Sequence, residues 1–395
     1  MKDYQNKIFL ITLKNGRNIK VLLSYNLNDF FYRKGSKKTF KGFLFPYMSP
    51  CTVAQLNTLI KSVSFYILNF ESFYGSRDKR AEVDGNHYRL GVTEMECDPW
   101  QIDITETPSF FENRKILKQE DGYSVSHTGF IKRSDGETFS VKEAESILRG
   151  LRTFLSFASG SACGLALVKA IDEYDGELVL EWGTSHIEPW NQKTTRSWLP
   201  STDGGDSLSQ LFPGFWRFYK NPDWGNIVST VIDWYFNSNN SPAHVGIISA
   251  QAALESLSYK ILGEKPPVKG IKKLSAEEKL RKLLEIIGID KEIPSSCEGL
   301  KDFSKQQIKQ RRDKNGDCYI GDGPEAIVQI RNDLIHPEKK YNPISAEAQI
   351  DAIRLSLWYI ELILLRKFEY YGRYMNRLRN SGEDAYEDVP WVKRV

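Results

Sequence analysis

Ala326-Ile327-Val328-Gln329-Ile330-Arg331-Asn332-Asp333-Leu334-Ile335-His336-Pro337 is the stretch that decides how the C-terminal half of this chain folds. Ala326, Ile327, Ile330 and Leu334 recur at helical spacing, so one stripe of the segment faces a core. Arg331 falls on the flank of that stripe. Pro337 disfavours the α conformation at the residue before it, so the helix is predicted to end at His336. Along an unbroken helix five residues turn through about 500°, and Arg331 and His336 would then point apart. A break at His336 frees the imidazole to turn back toward the guanidinium. Asn332 and Asp333 add polar groups where a buried helix has no use for them.

The same periodicity runs through the chain from Leu208 onward. Trp224, Ile227, Val228, Val231, Ile232 and Tyr235 form one stripe; Ile247, Ala250, Leu254, Leu257 and Ile261 form a second, at the spacing of a helical bundle. Beside the second runs a polar line of Gln251, Glu255 and Ser258. Further helices are expected over 275–288, 298–311, 323–335 and 345–379. The most apolar run, Leu355 to Leu365, is broken by Ser356 and Glu361 and reads as a buried helix rather than a membrane span, which needs about 20 apolar residues.

Arginine binds phosphate through paired, charge-assisted hydrogen bonds and keeps its proton. Histidine titrates near neutrality and carries protons both ways. RNA supplies its own nucleophile, the 2′-hydroxyl, so the pair suits RNA cleavage without a metal or a protein nucleophile. The arrangement Arg331-Asn332-x-x-x-His336-Pro337 resembles the R-x4-6-H signature of the HEPN superfamily. The resemblance covers about residues 205–380 and implies a helical bundle that acts as a metal-independent endoribonuclease in bacterial anti-phage defence. It further implies Arg331 and His336 as the catalytic pair, Asn332 as a supporting polar residue, no cofactor, and a homodimer or higher homo-oligomer. A β-rich region ahead of such a bundle resembles the layout of ApeA-type abortive-infection proteins, which implies a phage-derived trigger bound by the N-terminal domain. RNA, with tRNA as the leading candidate, is the implied substrate. Glu255 and Asp333 are candidate supporting groups; for Glu255 the plainer role is a surface or interface carboxylate. Arg331 and His336 also suit an ordinary helix end, where cations meet the negative pole of the dipole. An inactive helical dimerisation module with a ligand-binding β-domain therefore stays open beside the nuclease.

The N-terminal half reads as strands. Ile8–Leu13 and Ile19–Leu23 flank Asn15-Gly16, the signal of a type I′ hairpin. Val63–Phe73, Tyr88–Glu94, Trp100–Thr105 and Tyr123–Lys132 follow. One helix interrupts them, Val141 to Ala158, capped by Ser140. Leu165–Lys169 and Glu177–Trp182 then pair across Glu173-Tyr174-Asp175-Gly176. The expected class is α+β: a β-rich sensor or regulatory domain over 1–200, a sandwich or curled sheet, then the helical domain over 205–382 and a tail over 383–395. Residues 183–206 form the linker. Trp182, Trp190 and Trp198 in and beside it are expected to pack between domains, since tryptophan is mostly buried.

The 395 residues carry a net charge of only +3, so no polyanion partner is written into the chain as a whole. Local clusters matter more. Lys301, Lys305, Lys309, Arg311, Arg312 and Lys314 face only Asp302 and Asp313 in the same segment, and Lys265, Lys269, Lys272 and Lys273 form a second patch. Lys305, Lys309, Arg311, Arg312 and Lys314 are candidate contacts for an RNA backbone, against the plainer role of a solvated helix face. Cys51, Cys97, Cys163, Cys297 and Cys318 lie apart without C-x-x-C pairs, which speaks against a zinc site and fits a reducing cytoplasm. His87, His127, His186 and His244 lack metal spacing. The chain starts without a signal peptide pattern.

Overall fold

The computed structural model describes the backbone of five strands within residues 4–46, then backbone and side chains over most of 56–392. Outside the description lie 84–85, 109–113, 115–116, 118–121, 182–186, 188–195, 265–266, 313–320, 337–343 and 380–384, and the side chains at 78–81, 83, 86, 88–89, 181 and 310–312.

The strands are β1 (Tyr4–Thr12), β2 (Asn18–Asn26), β3 (Tyr32–Lys34), β4 (Lys37–Thr39), β5 (Phe43–Pro46), β6 (Leu59–Leu68), β7 (Arg77–Val83), β8 (Asn86–Cys97), β9 (Trp100–Glu106), β10 (Val125–Arg133), β11 (Phe139–Ser140), β12 (Gly164–Asp172) and β13 (Glu177–Glu181). β1, β2 and β5 make a small antiparallel sheet. The main sheet runs β13-β12-β6-β10-β9-β8-β7, with β11 also on β6. Alternation explains the pleat. In β9, Trp100, Ile102, Ile104 and Glu106 are buried while Gln101, Asp103 and Thr105 face the other side.

Helix α1 (Val141–Ser159) begins with a capping box between Ser140 and Glu143 and ends at Gly160, whose φ of 70° is a left-handed conformation that glycine adopts without strain. Its apolar face, Ala144, Ile147, Leu148, Leu151, Phe154 and Leu155, lies in the core. The helical half consists of α2 (Gly204–Tyr219), α3 (Gly225–Asn240), α4 (Ala243–Leu262), α5 (Ala276–Ile287), α6 (Glu298–Arg312), α7 (Gly323–Ile335) and α8 (Ala346–Lys367). Two short strands, β14 (Arg373–Met375) and β15 (Tyr386–Asp388), close the chain. This is an α+β fold, strands first and helices after. Among the described residues no helix is long and apolar enough to cross a membrane.

The two halves share one hydrophobic core. Phe154 of α1 meets Phe212 of α2 edge to face at 4.9 Å, and Phe157 touches Trp198 and Tyr235 at 5.4 and 5.5 Å. Trp198 donates from Nε1 to the Phe157 carbonyl at 3.1 Å, so this tryptophan does pack between the halves. Trp182 and Trp190 lie outside the described residues. Gly205 lets the start of α2 rest on the backbone just ahead of β7; a Cβ there would sit 2.5 Å from the Ser76 nitrogen and 2.7 Å from the Gly75 Cα.

Several expectations shift. The two strands of the hairpin pair, Ile8 with Leu22 and Ile11 with Ile19, one residue off the register that a two-residue Asn15-Gly16 turn sets, and the turn itself lies outside the described residues. The strand expected over Val63–Phe73 is β6, from Leu59 to Leu68; Asn69, at φ 55°, ends it. The inner face of the main sheet is covered by helices α1 and α2, where a sandwich would have placed a second sheet. The helix expected over 345–379 stops at Lys367, because Glu369 turns to φ 60° and the chain reverses into β14. Aromatic periodicity beyond Phe368 (Tyr370, Tyr371, Tyr374) mimicked a continuing helix. In the fold Tyr370 and Tyr374 are buried and Tyr371 is exposed.

Candidate functional site

Helix α7 is built to be rigid at its start. Asp322 caps it by accepting from the Glu325 amide at 3.1 Å, and Pro324 occupies the first turn, where no amide hydrogen is needed. Arg281 of α5 reaches across to this cap. Its Nε donates to Asp322 Oδ2 at 2.5 Å, and its Nη2 to Asp322 Oδ1 at 3.1 Å and Glu325 Oε2 at 3.2 Å. Sequence reading missed Arg281 and Asp322. The signal for the cap was present, since Asp-Gly-Pro-Glu is a helix start with an acidic third residue. The arginine partner, 41 residues upstream, had none.

The other end of α7 carries the motif. The helix stops at Ile335, and His336 leaves it at φ −116° and ψ 81°, its amide still donating to the Asn332 carbonyl at 3.1 Å. The termination expected from Pro337 is therefore observed one residue before the proline. Ala326, Ile327 and Ile330 are buried, and Arg331 is half-buried beside them. The Arg331 Nη1 donates to Asn332 Oδ1 at 3.0 Å, while its Nε is buried without a hydrogen-bond partner among the described residues. One amide thus holds one branch of the guanidinium, leaving the Nε side of the fork unspent. His336 is exposed, and no hydrogen bond joins it to Arg331. Asp333 accepts from Gln329 at 2.6 Å on the far side of the helix.

Helix α4 packs against α7 and carries the polar line. Gln251 Nε2 donates to Glu255 Oε1 at 3.4 Å. Gln251 and Ser258 are buried, and Gln251 Oε1 and Ser258 Oγ have no partner among the described residues. No hydrogen bond links Glu255 to Arg331 or His336. No hydrogen bond or ion pair joins Lys305 or Lys309 to Arg331 or His336. Ser304 of α6 donates to the Gly321 carbonyl at 3.0 Å, which sets α6 against the N-terminal end of α7. His336 lies at the opposite end, about 18 Å along the axis at 1.5 Å per residue. Lys305 is exposed and paired with Asp302 at 2.9 Å, and Lys309 is exposed. The Arg311 and Arg312 side chains and all of Lys314 lie outside the described residues. A cavity of about 430 Å³ opens between α6 and the start of α8, but Glu298, Asp302 and Glu347 line it, the wrong sign for a phosphate.

Residues 56–193 match the YopA central domain and residues 221–387 the YopA C-terminal domain. The chain is 30% identical over 351 residues to the SPbeta prophage-derived uncharacterized protein YopA of Bacillus subtilis (strain 168), spanning 85% of this chain and 73% of that protein. The chain belongs to the YopA family. The two YopA domain matches divide it close to the change from strands to helices, with α2 between them. The Arg331–His336 motif falls inside the YopA C-terminal domain, and β1 to β5 precede the central one. No solved structure matches the chain.

Proposed function

We propose that this YopA-family protein is a metal-independent endoribonuclease of the HEPN type. The observation that supports the reading most is the end of α7. There an arginine is held by the neighbouring asparagine, keeps an unspent buried Nε, and precedes a histidine released from the helix. In the proposed reaction Arg331 stabilises the charge that builds on the phosphorane, Asn332 fixes the guanidinium, and His336 moves a proton at the 2′-hydroxyl or the leaving 5′-oxygen. The products are a 2′,3′-cyclic phosphate and a 5′-hydroxyl. A single-stranded loop, such as that of a tRNA, is the fitting substrate because its riboses can reach in-line geometry.

The proposal extends to a cytoplasmic homo-oligomer in which the strand-rich half senses an infection trigger. The prophage origin in the relative's name suits a role in contests between phages. A second reading, an inactive binding module, draws on the missing contact between Arg331 and His336.

The test is cleavage of total tRNA in EDTA by wild type and by His336→Ala, with product ends mapped. Cleavage by wild type alone, leaving cyclic phosphates, is the expected result. Equal cleavage by both proteins would remove His336 from the chemistry. No cleavage by either, with and without infected-cell lysate, would favour the binding module.

A further inference from the structure

The main sheet has one face under α1 and α2 and another that is open. On the open face Tyr66, Phe130 and Leu167 stand 38%, 38% and 42% exposed on three adjacent strands. Their register makes them one patch. Tyr66 is paired with Thr128, Phe130 with Ser64, and Ala166 with Tyr66, so the two rings are diagonal neighbours and Leu167 projects from the irregularity beside them. Charge borders the patch: Asp103 stands directly opposite Phe130 on β9, Lys132 lies two residues along β10, and Lys169, opposite Ser64, is paired with Glu177.

The same chain contains a second, smaller sheet. In β1, β2 and β5 the register puts Phe9, Val21 and Pro46 in one row, Ile11 and Ile19 in another, and Lys7, Leu23 and Leu44 in a third, all on one face. The rows Ile8–Leu22–Phe45 and Leu10–Lys20 belong to the other face. A three-stranded sheet with apolar positions on both faces keeps them from water only against a further layer. The connection to the main sheet is short. Nine residues, 47–55, join Pro46 to Leu56, just ahead of β6, the strand that carries Tyr66. Extended, they reach about 30 Å, enough to fold one sheet onto the other but not to carry it far away.

We infer that the β1–β2–β5 sheet docks on the open face of the main sheet, laying the Phe9–Val21, Ile11–Ile19 and Leu23–Leu44 face over Tyr66, Phe130 and Leu167. The main sheet then has helices on one side and a second sheet on the other, about 10 Å away. The inference is independent of the ribonuclease reading.

The experiment uses the full chain with a specific protease site inserted within 47–55. After cleavage the N-terminal fragment is expected to co-elute with the remainder on gel filtration, and Phe130→Asp is expected to release it. Should Phe130→Asp unfold the sheet, the milder pair Tyr66→Ser and Leu167→Ser replaces it, with thermal unfolding of the remainder as the control. A fragment that leaves the cleaved wild type overturns the inference and leaves the face to an outside partner. A fragment that stays with every variant is docked elsewhere and overturns it as well.

Discussion

Replacing Arg281 by leucine tests whether the motif helix is held by its first turn. Asp322 is 1% exposed and Arg281 13%, so their two hydrogen bonds are closed to water. Removing one partner of a buried pair leaves the other charge uncompensated, at about 3–5 kcal/mol. Asp322 keeps the Glu325 amide at 3.1 Å, and a cap of this kind returns about 1 kcal/mol. Arg281→Leu is therefore expected to destabilise by about 3 kcal/mol. Asp322→Asn should cost less, about 1–2 kcal/mol, because asparagine still caps and Arg281 keeps Glu325 at 3.2 Å.

The double variant separates a stranded charge from simple loss of packing. In the double variant Asp322 no longer stands as a stranded charge, and Glu325, 14% exposed, keeps the Gly321 amide, so Arg281→Leu with Asp322→Asn should cost less than the sum of the single changes. Urea unfolding gives the three free energies, and hydrogen exchange over residues 326–335 reports whether the loss opens α7 itself. An Arg281→Leu cost below about 1 kcal/mol, or full additivity, would refute the reasoning.

Burial holds the His127 imidazole down to about 3, against Phe73 stacked at 5.2 Å. The unfolded chain takes up the proton first, so the stability present above pH 6.5 is lost as pH falls from 6.5 toward 3, roughly 2 kcal/mol by pH 5. His127→Phe should reduce that slope when urea titrations at pH 7 and pH 5 are compared; an unchanged slope counts against it. Gly214 of α2 faces the Phe368 carbonyl, and an added methyl would overlap that oxygen. Gly214→Ala is expected to cost about 3 kcal/mol, seen as a lowered Tm, because backbone on both sides has to move. In the proposed reaction Arg331→Lys keeps the charge and loses the fork, so cleavage should fall at least about tenfold with little change in Tm. A lysine variant as fast as wild type would dismiss the paired phosphate contact.

Much of the fold was legible because it was local. The box Ser140–Glu143 and the stripe from Ala144 to Leu155 contain α1 within one stretch of chain. The end of α7 was written in Pro337, and the pairing of β12 with β13 in Asp175-Gly176. The rest depended on distant partners. Nothing near Val63–Phe73 says that the strand stops at Leu68, since Phe70 and Phe73 are as apolar as the strand and are buried with it in the core. At the candidate site the residues that carry chemistry stood out by type, but their neighbours did not. Glu255, a candidate support whose plainer role is a surface or interface carboxylate, hydrogen-bonds Gln251. The lysines of α6 are close to Arg331 in sequence, while the contact of Ser304 with Gly321 ties their helix to the chain just ahead of the first turn of α7.

Glu361 shows how such a gap is closed by physical argument. In sequence it interrupts the most apolar run of the chain, and an ionised carboxylate in that position costs several kcal/mol unless it is paired. Its burial is complete at 0% exposure, so a cation has to be present. Arg377 supplies it, 3% exposed, donating from Nε to Glu361 Oε2 at 3.0 Å and from Nη2 to Oε1. Tyr235 adds its hydroxyl to the same carboxylate at 2.5 Å, which together with burial raises the phenol well above its ordinary range. The remaining donors of Arg377 go to the Arg196 carbonyl at 2.8 Å and the Asn239 side chain at 3.2 Å. The interruption in α8 therefore marks where the linker, α3 and the C-terminal segment converge on one charge. Breaking the pair from either side strands a buried ion. That explains why the chain after α8 turns back to this point instead of continuing the helix its aromatic spacing suggests.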